Sequence, residues 1–137
     1  MRRFLALVAT ALALASANGC RSDSTGPSAS LAGTWNLNTI NGSALPVTIQ
    51  AAAPKIEVLN EQLIVAAGGT FTQTGNLRVT DAGQVTNVPY TDSGTWTING
   101  TAATFRFNSD GSTGTGTISG NTFTVAGAGF SAVYVKQ

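Results

Sequence analysis

The sequence predicts an all-β fold, an antiparallel up-and-down meander of about eight to ten short strands that closes into a small barrel. Three observations carry this reading. Apolar and polar residues alternate along short runs, turn pairs such as Asn99-Gly100 and Gly120-Asn121 divide those runs, and no run beyond the N-terminal leader keeps a helical period. Only 9% of the residues are charged, whereas a long exposed helix would normally carry Glu and Lys. The 137 residues suffice for one domain with a single core. An open meander would leave uncharged edges rich in Thr and Val, and closing the barrel removes that aggregation hazard.

The chain begins with a basic Met1-Arg2-Arg3, followed by an apolar stretch from Phe4 to Ala15. That length suits a secretory signal and is too short to span a bilayer. It ends in Ala17-Asn18-Gly19-Cys20, and Cys20 is the sole cysteine. A Gly directly before a lone Cys in this place resembles the lipobox of bacterial lipoproteins. Ala17 and Asn18 stand where that family more often has Leu and a small residue. The resemblance implies cleavage of residues 1–19, acylation of Cys20 and a firm anchor, since several acyl chains hold where one does not. Residue 21 is Arg and not the Asp that retains such proteins at the inner membrane, so the resemblance implies the outer membrane of the bacterial envelope. Residues 20–30, rich in Ser with Gly26 and Pro27, read as the acylated Cys and a flexible tether. The folded domain is then 31–137.

Within it, Leu31–Thr39 alternates, with Leu31, Gly33, Trp35 and Leu37 on one face. Asn41-Gly42 turns the chain into a weak strand, Leu45–Gln50, that carries Pro46, and Ala51–Pro54 connects onward. Lys55–Ala67 holds two apolar clusters whose phase slips around Asn60-Glu61, the mark of a turn or bulge. Gly68-Gly69 leads into Thr70–Thr80, where Phe71, Leu77 and Val79 share a face and Gly75 marks a bend or a close backbone approach. After Asp81-Ala82-Gly83, Gln84–Thr91 is a strand whose Pro89 favours an edge or bulge. A separate strand around Trp96–Ile98 follows, then Thr101–Phe107, Ser112–Ser119, Thr122–Val125 and Phe130–Lys136, joined by tight turns.

Composition narrows the chemistry. The chain has no His, which removes the usual general base and any Ser-His-Asp triad, and one Cys makes neither a disulfide nor a thiolate metal site. Glu57, Glu61, Asp81, Asp92 and Asp110 are not paired by spacing, and Asp81 and Asp110 fall in Gly-containing turns where Asp is common for backbone reasons. No enzyme activity, catalytic residue, metal ligand or cofactor is expected. Net charge is +1, and without Arg2 and Arg3 five basic residues face six acidic ones, so nucleic acid is not an expected partner.

Gly33-Thr34-Trp35 opens the first strand of the domain just after the tether. This start resembles the Gly-x-Trp of lipocalins and their small bacterial relatives, and the resemblance covers the strand pattern of about Leu31–Lys136. It implies an up-and-down lipocalin-like barrel with a ligand space inside. That family's Thr-Asp-x-x-Tyr has a counterpart in Thr91-Asp92, with Trp96 one position late, and Lys136 is the nearest match to the last-strand Arg that packs across the Trp. The inward set is expected to be Trp35, Leu37, Phe71, Leu77, Tyr90, Trp96, Phe105, Phe107, Phe123 and Tyr134, with Arg106 facing solvent. These side chains either line a pocket for a small apolar ligand or fill the core of a module that meets another envelope protein. The protein partner, in that second case, is not specified by the sequence.

Overall fold

A computed structural model of the chain describes residues 30–127 and 129–137. The leader, Cys20 and all but the last residue of the tether lie outside the described residues. The domain consists of β1 (Gly33–Ile40), β2 (Ser43–Ala44), β3 (Val47–Gln50), β4 (Lys55–Val65), β5 (Thr70–Asp81), β6 (Gln84–Asn99), β7 (Ala102–Phe107), β8 (Thr113–Ser119), β9 (Thr122–Gly127) and β10 (Phe130–Lys136). From β3 to β10 each strand pairs antiparallel with the next in sequence. β10 returns to pair with β1, and Gly33–Asn36 of β1 pairs with Gln62–Val65 of β4. That last contact closes eight strands into a barrel, with β2 and β3 as two additional short strands. The expected meander is therefore the observed one, and the turns fall at the predicted pairs, with positive φ at Asn41, Gly42, Gly69, Gly83, Gly100, Gly111 and Gly120.

Two elements differ from the sequence reading. The strand expected over Leu45–Gln50 is interrupted at Leu45-Pro46, which leaves β2 before the break and β3 after it. Gln84–Thr91 and the segment around Trp96 are not separate strands but a single strand of 16 residues. Asp92, Ser93 and Gly94 stay extended because each keeps a ladder partner on β5, namely Gln73, Thr72 and Phe71. Gly94 also lies opposite Phe107 on β7. Having no side chain, it lets the rings of Phe71 and Phe107 meet edge to face across it, 5.2 Å between centroids. A Cβ at that position would stand 1.9 Å from the Arg106 carbonyl oxygen. Of β6, only Gly94–Asn99 pairs with β7, so the first part of β6 is a free edge and Pro89 sits on it, where its missing N–H breaks no ladder.

The two ends of the barrel are built differently. At the end where β1 begins, Leu31, Trp35, Leu63, Val65, Phe71, Phe105, Ile118 and Phe123 form a packed core. Trp35 is fully buried, and its Nε1 donates to the Leu31 carbonyl at 2.7 Å, which fixes the incoming chain across the barrel bottom. Lys136 lies opposite Trp35 in the β1–β10 ladder. Its Nζ sits 5.2 Å from the Trp35 ring centroid and donates to the Ser30 carbonyl at 2.8 Å. The last-strand cation thus packs on the first-strand indole. Trp96 is half-buried at the same end, where its Nε1 donates to the Ala66 carbonyl at 2.9 Å and ties β6 to the β4–β5 turn. Arg106 is exposed on the outer face.

Trp35→Ala empties the centre of this packed end and removes its hydrogen bond, so chemical denaturation should show a loss of about 3–5 kcal/mol. A near-neutral result would contradict the burial described.

Candidate functional site

The opposite end of the barrel holds the candidate site, and it begins with a parity change in β4. Ile56 and Val58 share a face, and strict alternation would next turn Asn60 and Gln62 toward that face. The β4–β5 register instead slips between Val58 and Asn60. This bulge passes the inward phase to Glu61, Leu63 and Val65. A partly buried carboxylate is thereby turned toward the barrel interior, between its apolar side chains and a polar cleft. The phase slip around Asn60-Glu61 in the sequence is this bulge. β1 carries its own register shift between Leu37 and Thr39, and past Asn36 it separates from β4.

Glu61 is paired with Gly75 on β5, and Gly75 is paired with Tyr90 on β6. A Cβ on Gly75 would lie 2.5 Å from the Tyr90 ring and hydroxyl and 2.7 Å from the Asn60 carbonyl. Glycine at this position is what allows the tyrosine to lie over β5 and donate its hydroxyl to Glu61 Oε2. From the other side, Tyr134 on β10 donates to Glu61 Oε1. Each carboxylate oxygen therefore accepts one phenolic O–H and keeps further acceptor capacity. Burial raises the Tyr90 phenol well above its ordinary range, and the hydrogen bond to Glu61 raises it further. Burial acts likewise on Tyr134, with the Glu61 charge and hydrogen bond adding to it. Both hydroxyls stay protonated at neutral pH and remain donors.

Space surrounds this cluster. A cavity of about 280 Å³ at the open end is lined by Leu37, Ile40, Leu77, Phe130, Tyr90 and Tyr134 together with Glu61. A second, of about 180 Å³, runs deeper past Phe105, Phe107, Phe123 and Val125 and shares Glu61, Phe130 and Tyr134 with the first. Glu61 also lines a polar cleft of about 440 Å³ on the side where β1 leaves β4. There Gln62 donates to Asn36 at 3.1 Å and Asn76 to Asn60 at 3.0 Å.

The inward set read from the sequence divides between the two ends. Leu37, Leu77, Tyr90 and Tyr134 line the first cavity, and Phe105, Phe107, Phe123 and Tyr134 line the second. Trp35 and Phe71 belong to the packed core, and Trp96 packs against its edge. Sequence reasoning passed over Glu61 as a site residue and left out Phe130, Ile40 and Ile49, which line the mouth. The signal for Glu61 was available, since it lies at the point where the apolar phase of its strand slips.

The other acids are engaged elsewhere. Glu57 lies on the outer side of β4 but is only 7% exposed, covered by Arg78 at 2.8 Å and Lys55 at 3.0 Å. The hydrogen bond from Arg78, then that from Lys55, holds its carboxyl down at about 2, against an ordinary 4.5. Asp92 accepts from the Ser93 N–H and from the Ser109 hydroxyl. Asp110 accepts from the Ser112 N–H at 2.8 Å, and its contacts with Ser112 hold it below its usual value. Asp92 and Asp110 thus shape the β6–β7–β8 turn region. Asp81 is exposed at the end of β5.

No protein-family model matches this chain, and no curated protein matches it significantly. The site must therefore be read from its own chemistry.

Gly75→Ala is expected to push the Tyr90 ring off Glu61 and to cost about 1–3 kcal/mol in urea denaturation, as overpacking does. Unchanged stability would show that the ring does not lie over β5.

Proposed function

We propose that this protein is a lipid-anchored envelope protein whose barrel holds a small, mainly apolar ligand in the cavity around Glu61. The single observation that carries the reading is that cavity, apolar walls converging on one polar cluster, the usual make-up of a small-molecule site. The packed end of the barrel supports it by keeping the wall rigid while the other end stays open to solvent. The anchor is proposed from Cys20 and the leader of residues 1–19 alone. With Arg21 after the Cys, the outer membrane is the proposed address, with residues 20–30 as the tether. On this reading the barrel is non-catalytic: it binds and releases.

A second reading has its own observation. Ile49 is 53% exposed and Phe130 44% exposed, and both stand at the cavity mouth. An apolar rim of this kind also suits contact with another envelope protein, with the barrel serving as a module and no ligand inside.

Two experiments test the proposal. Native mass spectrometry of the protein purified from its own host should reveal a co-purifying small molecule. Its absence, together with a protein partner retained at the mouth, would favour the second reading. Labelled palmitate should be incorporated into the chain and lost in Cys20→Ala. Incorporation that survives the substitution would rule out the anchor.

A further inference from the structure

Glu61 carries a charge for which the barrel supplies no opposite one. Four cations occur among the described residues, and each is placed elsewhere. Lys55 and Arg78 meet Glu57 on the outer face, Lys136 lies on Trp35, and Arg106 is exposed. No Lys or Arg lines any of the three spaces that share Glu61. The Tyr90 and Tyr134 hydroxyls satisfy one acceptor site on each carboxylate oxygen, but as neutral donors they leave the charge uncompensated. Glu61 is partly buried, with the polar cleft on one side and the apolar walls of the cavity on the other. Toward the apolar side a carboxylate is costly unless it is paired, and its remaining acceptor sites line that cavity. Tyr90, Tyr134 and Phe130 line the same space, and aromatic faces attract cations.

We propose that the ligand is a small apolar molecule bearing an ammonium group, bound with the ammonium against Glu61 and its apolar body against Leu37, Ile40, Leu77 and Phe130. This rests on the carrier reading above and adds the ligand's charge to it. The volume of about 280 Å³ lies at the lower end of ordinary ligand pockets, so the body is about the size of one ring with a short chain. A bare divalent cation suits the site less well. Calcium takes about six to eight oxygen ligands, and here one carboxylate offers the only charge. An anionic ligand would meet Glu61 with like charge.

The test uses the full chain in phosphatidylcholine nanodiscs, with empty nanodiscs as the blank. Phenethylamine, phenethyl alcohol and phenylacetate share one apolar body and differ in charge, and each is titrated by calorimetry at neutral pH. The amine is expected to bind at least about tenfold more tightly than the alcohol, as a hydrogen bond to a charged partner does, with phenylacetate the weakest. In Glu61→Gln the amine should lose about tenfold while the alcohol changes by less than about threefold. Equal binding of amine and alcohol, or tightest binding of phenylacetate, overturns the charge assignment and leaves the carrier reading standing. Failure of all three probes to bind overturns both. The comparison of probes on the unsubstituted chain decides the matter even where Glu61→Gln does not fold.

Discussion

The pairing of Gly33–Asn36 with Gln62–Val65 is the constraint from which the rest of the molecule follows. These few ladder pairs join the first long strand to the one that would otherwise end the sheet, and they convert an open meander into a ring without edges along that seam. A ring of about eight strands has an interior that side chains only just fill. Where β1 and β4 remain paired, Trp35, Leu63 and Val65 pack with the aromatics of the far wall, and only the space of about 180 Å³ past Leu63, Phe105 and Phe123 reaches them. Past Asn36 the two strands part, β2 and β3 take over their free edges, and the interior opens. The same seam therefore makes one end the more densely packed and the other the more open.

Glycine in the middle of three strands brings side chains from the outer two into contact, and two instances define the two ends of the barrel. Across Gly94 the rings of Phe71 and Phe107 meet, which binds the packed end. Across Gly75 the hydroxyl of Tyr90 meets Glu61, which builds the polar centre of the open end. The geometry is the same in both, and the chemistry differs only in what the flanking strands present. In the second instance the bulge in β4 decides what is presented, because one extra residue exchanges Asn60 for Glu61 on the inner face. A barrel without that bulge would turn neutral amides inward, and the cavity would have no charge to select with.

Much of the architecture was legible in the sequence because it is local. Period-two alternation marks Trp35 and Leu37 as inward, and the turn pairs fall where the backbone needs positive φ, so the order and direction of the strands follow from short-range rules. Lys136 was singled out by a family resemblance only as the nearest match to a last-strand Arg, and the structure sets it over Trp35. The break expected before Trp96 did not occur, because Gly94 reads as a turn residue until its neighbours on β5 and β7 are known. Glu61 was visible as an acid and as the site of a phase slip. Its role was not legible, since its partners Tyr90 and Tyr134 lie 29 and 73 positions away along the chain.

By itself the sequence determined most of the strand content, the turns and the meander, all of which depend on residues a few positions apart. Tertiary structure alone decided which end of the barrel is filled, where the cavity lies and which acid stands in it. Those outcomes depend on strand register across the closed sheet, and a one-residue slip there exchanges the two faces of a strand while leaving the local pattern almost unchanged.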